Sequence, residues 1–210
     1  FTRETDATHE LYGLKPGQND GFGWQCLAAR RLAERGVRFI ELIHTGSSGN
    51  WDSHGDMMDH ERLAKQVDRP IYGLLTDLKQ RGLLDDTLVV VTGEYGRTPK
   101  ISYQKSTGKR IGSAPAGTTQ PGRDHWPRAT LILLAGSGLT PGQVIGRTDI
   151  CSEDATERIL GRGDFMATMY WHLGVDYESV SFTDYSGRPV PVMLSDGKLI
   201  PEFSHAGKAV

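Results

Sequence analysis

Residues 89–99 read VVVTGEYGRTP, and this stretch decides the fold that the sequence predicts. The near-continuous apolar run from Thr87 to Thr92 is typical of a parallel β-strand that is covered on both faces. Glu94 comes directly after the strand, at its carboxyl end. Because open α/β sheets bind ligands beyond the carboxyl ends of their strands, this edge is the expected binding site.

The flanking segments predict a β-α-β unit around this strand. Apolar residues at helical spacing predict helices over 21–35 and 59–81, and Pro70 predicts a kink or a break in the second. Residues 37–43 are rich in β-branched and aromatic side chains and predict a strand before that helix. A further apolar strand is predicted over 129–135. The crossover between the first two strands is expected to be right-handed.

Length and charge limit the functional classes. A chain of 210 residues fits one large domain over residues 1–210. Its net charge of −2 provides no global field that favours nucleic acid or an anionic membrane surface. No apolar run approaches the roughly 18 residues of a membrane-spanning helix. The chain opens at Phe1 in what reads as mid-domain sequence, so we expect residues upstream of it to be missing.

Asp52 and His54 form the first candidate ligand pair. In an extended segment, residues two apart point to the same side, so both side chains can reach one ion. A carboxylate with an imidazole suits Zn, Mn or Fe better than Ca or Mg. The alternative is an aspartate that caps the following helix beside an exposed histidine.

Asp124 and His125 form the second candidate pair. They precede Trp126 and Pro127, and the proline restricts the residue before it, which stiffens a loop that could grip an ion. The alternative is a surface turn in which Arg123 pairs with Asp124.

Glu94 is the third candidate ligand, since a carboxylate at a buried strand end is paired, solvated or bound to metal. Arg97 leaves two interpretations open. It forms an ion pair with Glu94 inside a tight turn, or its planar guanidinium receives a sulfate or phosphate group.

The long segment over 93–127 has no strong periodicity and carries several basic residues among Gly, Ser, Thr and Pro. A structureless loop of this length is usually functional or disordered. Nucleic-acid binding would call for interleaved aromatic residues, so a solvated loop is the favoured interpretation.

Three motifs in order are far more specific together than singly: WDSH at 51–54, VVVTGEYGRTP at 89–99 and GRDHWP at 122–127. Together they resemble the domain-of-unknown-function 1501 family of exported bacterial proteins. That family is usually grouped with the alkaline phosphatase and sulfatase superfamily. The resemblance covers nearly all of the chain.

The resemblance implies an α/β fold, an alkaline phosphatase-like α/β/α sandwich with a mostly parallel sheet, from which this chain lacks the first β-α-β portion. It implies hydrolysis of phosphate or sulfate esters, on a small molecule or a polysaccharide, at a divalent ion, with Zn, Mn or Ca expected. The full-length protein would be exported or periplasmic. Relatives carry Asp-His where this chain has Glu94-Tyr95. The alternative is a catalytically degenerate extracellular binding protein of the same fold.

On this interpretation seven residues form the site. The metal ligands would be Asp52, His54, Glu94, Asp124 and His125, and the anion would be fixed by Arg97 and Arg123. The nucleophile is expected to lie upstream of Phe1. The sequence predicts neither a nucleic-acid partner nor a membrane span, and it leaves the oligomeric state open.

Overall fold

The computed structural model describes residues 4–44, 50–109, 113–193 and 196–203. Its helices are α1 (Asp6–Leu11), α2 (Gly21–Ala33), α3 (Asp59–Gln80) and α4 (Arg162–His172), with a short 3₁₀ turn at Pro201–Phe203. Its strands are β1 (Leu88–Thr92), β2 (Gly96–Arg97), β3 (Ser102–Lys105), β4 (Thr119–Gly122), β5 (His125–Trp126), β6 (Ile132–Gly136), β7 (Arg147–Thr148), β8 (Ala155–Glu157), β9 (Ser181–Thr183) and β10 (Pro189–Pro191).

The chain divides into two compact units. The first contains Phe1–Arg81 and Gly93–Leu131, and the second contains Gly82–Thr92 and Ile132–Val210. The stretch 89–99 therefore begins in the second unit and enters the first at Gly93. The single domain expected from chain length stays a prediction.

The predicted parallel α/β/α sandwich is wrong for the described residues. Their strands form five two-stranded sheets, and every pair is antiparallel. The two apolar strands that the sequence located correctly, β1 and β6, pair with each other, with Val90 opposite Leu134.

The strand predicted over 37–43, the first of the three along the chain, does not form. Phe39 and Ile43 are 63% and 64% exposed, and this segment contributes no strand to a sheet. A strand needs a neighbour for its backbone N–H and C=O groups. An apolar run indicates that a segment can be a strand, but not which segment pairs with it or in which direction. The predicted β-α-β unit therefore fails at its first strand.

Helices α2 and α3 of the first unit agree with the sequence prediction, whereas α1 was not predicted. Helix α2 ends before Gly36, which adopts a positive φ of 77°. The amide of Val37 then donates to the carbonyl of Leu32, which closes the helix end. Helix α3 runs without a break through Pro70. The break considered at Pro70 does not occur.

Helices α2 and α3 enclose a small core that contains a buried charge network. The fully buried apolar residues Tyr12, Leu27 and Cys26 belong to this core. Arg30, only 2% exposed, makes ion pairs with Asp77 at 2.8 Å and with Glu34 at 2.6 Å. The charged groups are therefore paired inside the helical core, as buried charges need to be.

The second unit is built from the β1–β6 pair, helix α4 and two further strand pairs. Ser137 follows β6 and is fully buried, and its hydroxyl lies 2.9 Å from Nδ1 of the buried His172 on α4. Gly136 precedes it with φ of 87°, and a Cβ there would lie 2.1 Å from the carbonyl oxygen of Thr87. Only glycine fits this close approach.

None of the helices within the described ranges has the length and apolar character to cross a bilayer.

Candidate metal centre

Three backbone segments of the first unit are joined by backbone hydrogen bonds at the candidate site. Strands β2 and β5 pair with Arg97 opposite His125. The amide of Arg123 donates to the carbonyl of His54 over 2.9 Å, so the two ligand-bearing segments are bonded directly. Gly122 permits this crossing, because a Cβ at that position would lie 2.8 Å from the carbonyl oxygen of His54.

The structure brings Asp52, His54 and His125 together. One ligand atom from each lies within 4.8 Å of the other two. Nε2 of His54 is 2.9 Å from Oδ1 of Asp52, and Nε2 of His125 is 2.6 Å from the same oxygen. Asp52 is exposed and both histidines are half-buried, so an ion could reach the group from solvent.

Asp124 contacts His54 on the other side of its ring. Its Oδ1 lies 2.9 Å from Nδ1 of His54, which places that imidazole between two carboxylates. A carboxylate oxygen only accepts hydrogen bonds, and a neutral imidazole carries one N–H. His54 can therefore satisfy both neighbours only as an imidazolium, or as a neutral ring with a cation at Nε2.

The electrostatics of the ion-free group follow from these hydrogen bonds. The pKa of Asp52 is lowered below its usual value, first by the hydrogen bond from His54 and then by that from His125. The pKa of His54 is raised by its hydrogen bonds to Asp52 and then to Asp124. In the absence of an ion, the hydrogen bonds between the two imidazoles and Oδ1 of Asp52 hold the three side chains together.

The same donor set fits a metal ion. With Nδ1–H of His54 donating to Asp124, the Nε2 lone pair is free to bind a cation, as in the carboxylate–histidine–metal arrangement of many metal sites. Two imidazole nitrogens and one carboxylate oxygen match the three protein ligands of catalytic zinc sites, which keep a further position open. In this geometry Asp124 orients a ligand, whereas the sequence had placed it among the ligands.

The predicted ligand Glu94 lies outside this group. Its side chain is exposed beyond the end of β1, and the ligand set that the described residues form consists of Asp52, His54 and His125. The chain turns into β2 directly after Glu94, and β2 brings Arg97 rather than Glu94 opposite His125.

The two predicted anion-binding arginines donate to backbone carbonyls. Arg97 donates from Nη2 to the carbonyl of Trp51 and from Nη1 to that of Arg123, the latter over 3.4 Å. Arg123 donates from Nε to the carbonyl of Thr98 over 2.6 Å and from Nη2 to that of Arg97 over 3.1 Å. Nη2 of Arg97 is 3.9 Å from Oδ1 of Asp52. Arg97 therefore borders the ligands, while Arg123 fixes the segment that carries Arg97.

Aromatic side chains flank the ligands on both sides. The ring of Tyr95 lies 4.5 Å from that of His125. The indole N–H of Trp51 donates to Nδ1 of His44 over 2.8 Å, and the Trp51 ring stacks on His60. His44, which ends the predicted strand over 37–43, thus supports Trp51.

Asp56 was not predicted from the sequence, although its buried carboxylate joins the segment of His54 to the 93–127 segment. It is 6% exposed, and its carboxylate accepts hydrogen bonds from three side chains of the 93–127 segment. The donors are Ser106 at 3.2 Å, Ser113 at 2.8 Å and Gln120 at 2.6 Å. Its partners are 50 to 64 positions away in sequence, so no local spacing indicates them.

Replacing Asp124 with alanine is expected to weaken Zn or Mn binding by about 10–100-fold, the usual effect of removing the partner of a ligating histidine. Isothermal titration of the apo-protein with each ion would measure the change. Asp68→Ala, an exposed position on α3, is the matched control and should bind as the parent does. Unchanged affinity in Asp124→Ala would contradict the orienting role. A loss as complete as that of His54→Ala would make Asp124 a ligand.

Comparison with known proteins identifies a family. The family model that matches the chain covers residues 1–203 and is described as "Protein of unknown function (DUF1501)". No curated protein and no solved structure matches the chain. The family description assigns no activity, so the geometry of the site has to carry the functional argument.

Proposed function

The chain belongs to the DUF1501 family of proteins of unknown function, and we propose that it is a metal-dependent hydrolase of phosphate or sulfate esters, related to the alkaline phosphatase and sulfatase superfamily. The observation that carries the proposal is the convergence of Oδ1 of Asp52 with Nε2 of His54 and Nε2 of His125. The proposal rests on this site and on the motifs, and it does not require a parallel sheet.

The donor types favour particular ions. Two imidazoles and one carboxylate suit Zn or Mn, whereas Ca prefers ligand sets made of oxygen. Of the three ions expected from the sequence, Zn and Mn are therefore the ones to test first.

Each residue of the site has a separate task in this proposal. A divalent ion supplies positive charge that polarises the ester and stabilises the charge developing in the transition state. Asp52, His54 and His125 hold the ion, and Asp124 keeps the proton on Nδ1 of His54. Arg97 binds the anionic oxygens of the ester. Its Nη2 lies 3.9 Å from Oδ1 of the metal ligand Asp52, and a guanidinium binds sulfate or phosphate oxygens bidentately.

The second candidate function is binding without catalysis, in a degenerate member of the same superfamily. One observation favours it. Two hydroxyls beside the site already make structural hydrogen bonds: that of the fully buried Ser53 donates to the carbonyl of Asp56, and that of Thr98 accepts from the amide of Asp124. Both hydroxyls are engaged in structural hydrogen bonds, which leaves neither placed as a nucleophile.

The two functions are separated by an assay of the full-length, ion-loaded protein with aryl phosphate and aryl sulfate. We expect hydrolysis of at least one ester, loss of that activity with chelator, and a loss of about 100-fold or more in His125→Ala. The control is His9→Ala, on α1, which should retain the parental rate.

The outcomes differ between the hypotheses. A protein that binds one ion and cleaves neither ester would support the binding function. A protein that binds no ion would contradict the hydrolase. The proposal also places the full-length protein outside the cytoplasm, exported or periplasmic, as the family resemblance implies, and its substrate is a small-molecule or polysaccharide ester.

A further inference from the structure

The segment 99–123, called here the basic arm, has an unusual charge composition. It contains no Asp or Glu, although the chain as a whole carries 26 acidic residues and a net charge of −2. Its cations are Lys100, Lys105, Lys109, Arg110 and Arg123. Single-sign charge next to a binding site raises the local concentration of ligands of the opposite sign.

The hairpin of β3 and β4 places one of these cations, Lys105, on the same face as an exposed aromatic ring. Ser102 and Gln104 point to the side of the site, where the hydroxyl of Ser102 donates to the carbonyl of Gly122 over 3.1 Å. Since side chains alternate along a strand, Tyr103 and Lys105 point to the opposite side. Tyr103 is 74% exposed, with Pro121 as its cross-strand partner. The outer face of the hairpin therefore combines an exposed aromatic ring with a cation.

The basic arm is anchored to the ligand-bearing segment. Gln120 and Ser106 donate to the buried carboxylate of Asp56, which lies two residues after His54. The amide of Met57 also donates to the carbonyl of Pro121 over 3.1 Å. The described parts of the arm, 99–109 and 113–123, are therefore held in place by a buried carboxylate and by backbone hydrogen bonds.

The lysines of the arm are available to a ligand. Lys100, Lys105 and Lys109 are exposed, and none makes an ion pair with any residue in the part of the chain that the structure describes. The guanidinium of Arg123, by contrast, already donates hydrogen bonds to two backbone carbonyls. The arm's carboxylate partner, Asp56, is buried and bound to hydroxyl and amide groups, so it does not neutralise the lysines.

We propose that the outer face of the basic arm binds a polyanionic polysaccharide, so that the substrate is an ester group within a longer anionic glycan. The identity of the substrate rests on the proposed hydrolase, but binding to the arm does not. Lysine ammonium groups pair with sulfate or phosphate groups along the chain, and the flat face of Tyr103 packs on a sugar ring.

A glycan fits this face better than a nucleic acid does. Single-stranded nucleic acid is bound by several aromatic side chains on which successive bases stack. Within the described part of the hairpin, Tyr103 is the aromatic side chain that the strands present. Thr119, the cross-strand partner of Lys105, adds to the same face a hydroxyl that matches the hydroxyls of sugars.

The test measures binding of fluorescently labelled dextran sulfate in chelator, so that ion binding and hydrolysis play no part. We expect the parent protein to bind dextran sulfate and not uncharged dextran. The triple variant Lys100→Gln, Lys105→Gln, Lys109→Gln should bind at least about tenfold more weakly. Its plot of log Kd against log salt should be shallower by about 2 to 3, the number of ionic contacts removed. Tyr103→Ala should weaken binding without changing that slope.

A charge-matched control removes three exposed lysines elsewhere: Lys15→Gln, Lys79→Gln, Lys198→Gln. It should retain parental affinity. Equal weakening in both triple variants would show that only net charge matters and would overturn the proposal. So would equal or tighter binding of single-stranded DNA of the same charge, which would favour a nucleic acid. A parent that binds no dextran sulfate but hydrolyses aryl esters would overturn the arm's role and leave the proposed hydrolase intact.

Discussion

Arg30→Ala is expected to lower the free energy of unfolding by about 3–5 kcal/mol, the usual cost of removing one partner from a buried ion pair. Arg30 is 2% exposed and its Nε lies 2.8 Å from Oδ2 of Asp77, which is 6% exposed. Its Nη2 lies 2.7 Å from Oε2 of Glu4. In the alanine variant, Asp77 keeps Arg81 at 2.6 Å and Glu4 keeps Arg31 at 3.4 Å, but both carboxylates lose the cation that they share. Urea unfolding followed by circular dichroism would measure the change.

The control for this prediction is Arg35→Ala, an exposed position at the end of α2 whose Nη1 donates to the carbonyl of Arg31. We expect it to change the free energy of unfolding by less than about 1 kcal/mol. If Arg30→Ala also lowers the free energy of unfolding by less than about 1 kcal/mol, water solvates the carboxylates with which Arg30 had paired. The charge network would then not stabilise the core as described.

Asp56→Ala is expected to cost about 2–4 kcal/mol and to loosen the candidate metal centre. Hydrogen bonds to charged groups contribute about 1.5–3 kcal/mol each, but serine hydroxyls can turn to other acceptors. Ser106, for example, already lies 2.8 Å from the carbonyl of Ala114. Gln120 is 2% exposed and has no such freedom. Without Asp56, the basic arm loses the side-chain anchor that joins it to the segment of His54.

Hydrogen exchange would report this loosening directly. The amides of β3 and β4 should exchange faster in Asp56→Ala, and Asp56→Asn should recover part of the protection because its amide oxygen still accepts. Asp68→Ala should exchange as the parent does. Parental protection of the hairpin in Asp56→Ala would contradict the anchoring role.

The local pattern of the sequence predicts where the two longest helices and the two longest strands lie but not how the strands pair. Apolar periodicity located α2 and α3, and the apolar runs located β1 and β6. Their antiparallel pairing, Val90 opposite Leu134, contradicts the parallel sheet. An apolar run reports that both faces of a strand can be buried, and this holds for strands of either direction. The segment over 37–43 has the composition of a strand without forming one.

The candidate site was predicted in part for similar reasons. Asp52 and His54 are close in sequence, so spacing alone indicated that they could share an ion. His125 was placed with them through the family motifs, and the structure brings all three together. Glu94 was expected at the carboxyl end of a parallel strand, but β1, which it follows, pairs antiparallel with β6. The roles of Asp124 and Asp56 depend on side-chain directions and on distant partners, which no sequence spacing encodes.

The central claim is that Asp52, His54 and His125 bind one divalent ion. The most direct test is metal analysis of the purified protein after incubation with Zn or Mn and removal of free ion, beside the variants Asp52→Ala, His54→Ala and His125→Ala. We predict one bound ion per chain in the parent and loss of that ion in each variant. A parent without a stoichiometric ion, or variants that retain it, would contradict the claim.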